Sequence, residues 1–267
     1  ILFGICFLGS SSLSSAHGVA MANPQYFYFV PNVGDFSSNF DISSLPSGDG
    51  YSGATATLDI EKEILWLIPD PDTRTNLNRS ATRVVYKQPI RLLDDKGTII
   101  SFKTDILFQI ITQSNLSGEG MAFFIAQDKA FPHRSAAGYL GLSNDTFINS
   151  TTSFPGHDFF AVEFDIAQSP QFNDPSSSHV GVDINSLQSI KTVDTSNYYD
   201  LSLLQNSSFQ AWIEFNASTN MVQVWMMNYG NRTDYANSLD RTGESLILQA
   251  SIDPSVFHST SMWWVGI

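Results

Sequence analysis

Hydrophobic and polar positions alternate along this chain in short runs, and no stretch keeps a helical period beyond two turns. The alternation predicts strands over Tyr26–Val30, Ala54–Leu58, Ile64–Ile68, Arg83–Tyr86, Ile99–Ile111 and Gly120–Ala126. It predicts six more over Phe159–Asp165, His179–Asn185, Phe209–Asn216, Met221–Met227, Leu246–Ser251 and Ser261–Ile267. Turn-forming clusters separate them, among them Pro46-Ser47-Gly48-Asp49-Gly50, Asp94-Asp95-Lys96-Gly97 and Asn228-Tyr229-Gly230-Asn231. Strands joined by polar turns, with no helical crossovers, imply an all-β fold with antiparallel sheets, a sandwich or a barrel. Leu201–Leu204 suits a helical turn or a strand edge equally, and Asp70-Pro71-Asp72 reads as a solvated turn. Alternation at Trp263-Trp264 turns one ring into the core and the other outward.

Length and composition narrow the class. The 267 residues contain no internal repeat, so one domain over residues 24–267 is the simplest organisation. Charged residues make up 15% and aromatics 13%, a balance that suits sheets rather than a helical bundle. Thirteen basic against 26 acidic residues give a net charge of −13. With no cluster of Lys or Arg, the chain is not built to neutralise phosphates, so nucleic acid is excluded as a partner, and an anionic membrane surface suits it poorly.

The opening run Ile1-Leu2-Phe3-Gly4-Ile5-Cys6-Phe7-Leu8 is apolar, too short to span a bilayer, and followed by small residues from Gly9 to Ala16. It reads as the remainder of a secretory leader over residues 1–18, with processing near Ala16; the alternative is a buried first strand. The one cysteine, Cys6, would leave with the leader, so the domain is expected to hold together outside the cell by core packing alone. Seven Asn-x-Ser/Thr acceptor sites, at Asn78, Asn115, Asn144, Asn149, Asn206, Asn216 and Asn231, agree with a secreted or cell-surface location. The absent initiator Met and a terminal strand pattern lead us to expect a fragment at both ends, with membrane attachment only through a segment beyond it.

The most chemically loaded stretch runs from Val162-Glu163-Phe164-Asp165 through Asp174 to His179-Val180-Gly181-Val182-Asp183. On a strand, Glu163 and Asp165 share a face about 7 Å apart. No Lys or Arg occurs between Arg134 and Lys191, so a cation, a proton or a partner base must settle those carboxylates. Three carboxylates and an imidazole can build a site for two cations, oxygen-only positions suiting Ca²⁺ and a position with His suiting Mn²⁺. A polar sheet edge with an acidic turn is the plainer reading. His133, His157 and His258 are scattered without ligand spacing and read as surface loop residues.

These residues carry a resemblance. Val162-Glu163-Phe164-Asp165, Ser169, Asp174 and His179-Val180-Gly181-Val182-Asp183-Ile184-Asn185-Ser186 stand in the order and spacing of the legume-type (L-type) lectin domain. Tyr86-Lys87-Gln88-Pro89-Ile90-Arg91-Leu92 with Ser101-Phe102-Lys103-Thr104 resembles another block of that family, as do Gly120-Met121-Ala122-Phe123-Phe124-Ile125 and Gly138-Tyr139-Leu140-Gly141-Leu142. The resemblance runs from about Tyr26 to Ile267. It implies a jelly-roll β-sandwich with a flat back sheet, a curved front sheet, and neighbouring metal and sugar sites. Glu163, Asp165, Asp174 and His179 would then ligate Mn²⁺, with Ser189 reaching it through water. Asp165, Asp174, the Ala167 carbonyl and the Ser169 side chain would hold Ca²⁺. The glycan would meet Glu119, Gly138 and Ser169.

Three departures fall in that sugar site. The family's Asp is Glu119, one methylene longer; its Asn is Ser169, a short hydroxyl in place of an amide; its aromatic platform is Ala167. The resemblance implies a metal-dependent lectin, soluble or the ectodomain of a receptor kinase, with homodimerisation through the flat sheet as a family expectation. The alternative is a lectin-like receptor for a peptide, a nucleotide or an apolar molecule. Hydrolysis is not expected: jelly-roll glycosidases place a third carboxylate after the Glu-x-Asp pair, and here those positions are Ala167 and Gln168, neither of which can protonate a leaving group.

Overall fold

The fold is described from a computed structural model over residues 2–6, 25–26, 40–44, 56–59, 64–67, 80–111, 118–130, 132–144, 157–230, 245–258, 260 and 262–267. Fifteen strands appear among these residues. They are β1 Leu2–Cys6, β2 Gln25–Tyr26, β3 Phe40–Ser44, β4 Thr57–Asp59, β5 Ile64–Trp66, β6 Thr82–Tyr86, β7 Phe102–Ile111 and β8 Gly120–Ala126. The remainder are β9 Phe159–Asp165, β10 His179–Ile184, β11 Lys191–Asp194, β12 Ser208–Asn216, β13 Met221–Gly230, β14 Ser245–Ser251 and β15 Trp264–Gly266.

The strands form two sheets. The back sheet runs β14-β13-β12-β7-β1-β5-β4, with β2 added to β7, and the front sheet runs β11-β10-β9-β8-β15-β6-β3. Pairing is antiparallel apart from β2 with β7, and the jelly-roll sandwich read from the sequence is the fold found. Leu2–Cys6, the run read as part of a leader, is a strand between β5 and β7. Residues 7–24, which include the expected processing site, lie outside the described residues, as do Asp70-Pro71-Asp72 and the acceptor sites Asn78, Asn115, Asn149 and Asn231.

Alternation decides which side chains enter the core. On β13 Val222, Val224 and Met226 are buried, while the intervening Gln223 and Trp225 are only partly covered. The inner faces meet around a cluster of rings. Phe257, delivered by the short 3-10 helix Pro254–His258, stands 5.4 Å from Phe215 and 5.8 Å from Trp263, with Phe102 and Phe160 close by. Each such ring contributes about 1.5–3 kcal/mol through removal from water.

A second apolar layer covers the outer face of the front sheet, built on Phe124, Phe159 and Ala161 and roofed by Leu142, Phe172 and Leu187 from three loops. This is why every residue of β9 is buried. Phe160, Val162 and Phe164 face the main core, whereas Phe159 and Ala161 face the second layer, in line with Glu163 and Asp165. Trp263 enters the main core and Trp264 packs on the second layer. Leu201–Leu204 is neither strand nor helix.

Candidate metal and ligand site

Three adjacent front-sheet strands assemble the acidic cluster. In register, Asp165 faces Gly120 on one side and His179 on the other, and Glu163 lies between Ala122 and Gly181. Cross-strand partners and i, i+2 neighbours share a face, so Glu163, Asp165 and His179 all project from the outer one. All three are buried, and one donor atom from each lies within 4.8 Å of the others. Asp174 arrives from the β9–β10 loop, where a 3-10 turn over Pro170–Phe172 and a left-handed Asn173 reverse the chain. Its Oδ1 stands 3.6 Å from His179 Nε2. The loop is tied down at its carboxylates: Ala167 N–H donates to Asp165 Oδ1 (2.6 Å) and Ser169 N–H to Asp174 Oδ2 (2.7 Å). Gln168 Nε2 donates to the Asp174 carbonyl at 3.1 Å.

The protonation pattern of the cluster suits a cation. A backbone carbonyl only accepts, so His179 Nδ1, 2.8 Å from the Ser176 oxygen, carries the imidazole proton. His179 Nε2 is fully buried, lies 3.4 Å from Glu163 Oε1 and makes no hydrogen bond, so once the ring is neutral its lone pair faces the carboxylates. Burial pushes the Asp165 carboxyl up to about 8 and raises Asp174 as well. Burial works against charge on His179, but contact with Glu163 and the fields of Asp165 and Asp174 outweigh it and raise the imidazole. Protons must therefore do, in the metal-free protein, what a divalent ion would do better. The donor set, carboxylates with one neutral imidazole, fits such an ion.

Behind this cluster Ser189 Oγ lies 2.7 Å from Glu163 Oε1 and 2.6 Å from Asp183 Oδ1. Its single proton can serve only one of them. Burial, followed by the Glu163 charge, raises Asp183 well above the carboxylate range, and a proton held there supplies the second bond. A Cβ at Gly181 would overlap both Ser189 Oγ and Glu163 Oε1, so any larger residue in this cradle must displace one or both of them.

The three residues expected to meet a glycan come together beside this cluster. A Cβ at Gly138 would stand 3.0 Å from Ser169 Oγ and 4.0 Å from Glu119 Oε2. The Glu119 carbonyl accepts the Ile166 N–H at 2.7 Å, coupling its loop to the end of β9. Burial raises the Glu119 carboxyl, and the charge of Asp174 adds to the shift. Ala167 is half-buried and offers only a methyl group. Tyr139, next to Gly138, packs edge-on to Phe172 with centroids 5.9 Å apart. The Gly138 loop holds Arg134, Ala137 and Leu140 at φ 62°, 60° and 48°, left-handed values that cost about 1–3 kcal/mol each.

Of the other residues singled out in the sequence, His133, His157 and His258 are exposed, and none belongs to the Glu163, Asp165 and His179 group. Asn206 and Asn216 are exposed; Asn144 is buried, its Nδ2 donating to the His133 carbonyl at 2.9 Å. Sequence reasoning assigns no structural role to Asp183, Gln168 or Arg83, which the structure places in hydrogen bonds with Ser189, with the Asp174 carbonyl and with the carbonyls of Ala130 and Gly141, respectively. For Asp183 a signal existed, a carboxylate in an apolar strand two residues from Gly181; Arg83, a charge directly before buried Val84 and Val85, was a similar one.

A family model described as the legume lectin domain matches residues 37–262. An L-type lectin-domain containing receptor kinase, V.9, of Arabidopsis thaliana is 38% identical over 151 residues, 53% of this chain and 22% of the relative. The chain thus spans less than a quarter of that kinase's length. An Arabidopsis thaliana lectin-like protein is 32% identical over 212 residues, 75% of this chain and 71% of its own. Among solved structures, the metal-free form of lectin I-B4 from Griffonia simplicifolia aligns with a TM-score of 0.62 at 25% identity, over 87% of this chain and 85% of that one. No helix among the described residues is long and apolar enough to cross a membrane. Legume lectins bind carbohydrate without catalysis, in keeping with the missing third carboxylate at Ala167 and Gln168. The chain belongs to the legume lectin family.

Proposed function

We propose that this chain is a metal-dependent glycan-recognition domain acting outside the cell, as a secreted lectin or as the ectodomain of a receptor kinase. The observation that carries the reading is the buried, unbonded His179 Nε2 among Glu163, Asp165 and Asp174, directly beside the Glu119, Gly138 and Ser169 cluster. Bound Mn²⁺ and Ca²⁺ would supply fixed positive charge that lets the carboxylates ionise together. Glu163, Asp165, Asp174 and His179 would hold the first ion; Asp165, Asp174, the Ala167 carbonyl and Ser169 the second. The Ala167 and Ser169 amides then stay fixed against their carboxylates, and Glu119 and Gly138 face a defined surface on which hydroxyl groups can be read. The acceptor sites Asn206 and Asn216, both exposed, support export and glycosylation.

A second reading rests on one observation. With Ala167 in place of an aromatic, and a serine hydroxyl at 169, the site has less to stack and bond a sugar ring with, which favours a non-sugar ligand. Calorimetric titration of a glycan panel, with and without chelator, separates the two. Chelator-sensitive sugar binding supports the first reading, and chelator-insensitive binding of a peptide, nucleotide or apolar molecule supports the second. Ser169→Asn, which adds an amide oxygen, is expected to raise Ca²⁺ affinity and sugar affinity together; a rise in neither counts against the shared site.

A further inference from the structure

Arg83 stands on β6, in the same sheet as the acidic cluster but separated from β9, the nearer strand of that cluster, by β15 and β8. It is only 4% exposed, and its guanidinium carbon lies 4.4 Å from the centroid of the Phe124 ring, on the second apolar layer. Nη1 donates to the carbonyls of Ala130 (2.7 Å) and Asp128 (3.3 Å), and Nη2 to the carbonyl of Gly141 (2.7 Å). Those carbonyls are the two ends of a single loop. Between them the backbone passes through left-handed Arg134, Ala137 and Leu140 and presents Gly138 to Ser169 and Glu119.

Residues with a Cβ keep such dihedrals only where the surroundings over-determine them. A planar fork of five donors can bridge both ends of a loop at once; an ammonium on a flexible stem reaches fewer carbonyls in a less defined geometry. Burying a cation for this purpose is costly, and burial lowers the guanidinium to about 10 against the opposing field of Asp128, yet leaves it charged at neutral pH.

We infer that Arg83 is the positioning residue of the ligand site: it clamps both ends of the 128–141 loop and so sets where Gly138 stands, independently of the ions that order the 165–179 loop. The inference rests on the reading of Glu119, Gly138 and Ser169 as the ligand surface.

The test compares the unaltered chain, Arg83→Met and Arg83→Lys, each with excess Ca²⁺ and Mn²⁺. Amide exchange at Gly141 and Leu142, whose N–H groups donate to the Ser135 and Tyr139 carbonyls, should quicken at least about tenfold in Arg83→Met and by less in Arg83→Lys. Exchange across His179–Ile184 and the ion stoichiometry should not change. Affinity for methyl α-D-galactoside or methyl α-D-mannoside, whichever the unaltered chain binds, should fall at least tenfold. Should Arg83→Met not fold, Arg83→Lys carries the same comparison. Unchanged exchange at Gly141 and Leu142, or equal acceleration across His179–Ile184, overturns the clamp. If the unaltered chain binds neither sugar, the glycan reading loses support, while the exchange data still decide the role of Arg83.

Discussion

At the scale of single residues, the acidic cluster should govern how the protein responds to pH. Asp165 titrates near 8 when folded without metal, far above the carboxylate of an unfolded chain. A carboxyl raised on folding contributes stability that is fully present below about pH 4, where both states are protonated at that group, and is lost as pH rises through its folded value. Metal-free protein should therefore lose stability between about pH 4 and pH 8. Divalent ions, which bind the deprotonated form, should flatten that slope and release protons as they bind. Asp165→Asn should make the slope in chelator shallower, leaving the part that Asp174, Asp183, Glu119 and His179 supply, and cost at least about tenfold in ion affinity. Thermal melts across pH, with chelator and with excess ion, check both; a metal-free stability that climbs toward pH 8 contradicts the assignment.

Among the elements, β8, β9 and β10 were legible in the sequence almost to the residue, because their buried blocks are continuous and turn-bounded. β3 and β11 were not. Both are edge strands, half-solvated, and Lys191-Thr192-Val193-Asp194 carries a single apolar side chain. The clamp on the Gly138 loop was out of reach for another reason: its acceptors are backbone carbonyls 45 to 58 residues along the chain, and main-chain atoms leave no signature in side-chain type. Gly181 gives the sharpest test at this scale. Gly181→Ala would force a methyl group onto Glu163 and Ser189, which should destabilise the fold by about 1–3 kcal/mol and displace a ligand carboxylate. Urea unfolding measures the first effect and Mn²⁺ titration the second, and a variant with unaltered ion affinity would show that the cradle tolerates the extra carbon.

Over the whole molecule, the sandwich could be read from the alternation, and the family from a handful of motifs, but the accessibility of modification sites could not. A sequon is a local string, whereas burial is a property of the assembled sheets. Asn216 lies at the exposed end of β12, with its Oδ1 accepting from both the backbone and the hydroxyl of Ser218. The Asn144 nitrogen is buried against the His133 carbonyl. Peptide mapping of protein from a secretory host should find glycan on Asn216 and none on Asn144; an occupied Asn144 would mean that the 132–144 segment opens before it is modified.

The paired indoles at 263 and 264, one sealed between the sheets and one half-covered on the outer apolar layer beside Lys129, amount to two optical gauges one residue apart. Trp264→Phe should diminish the emission that acrylamide can quench, and Trp263→Phe should leave it intact. Loosening of the loop layer could then be watched by fluorescence while the interior stays closed.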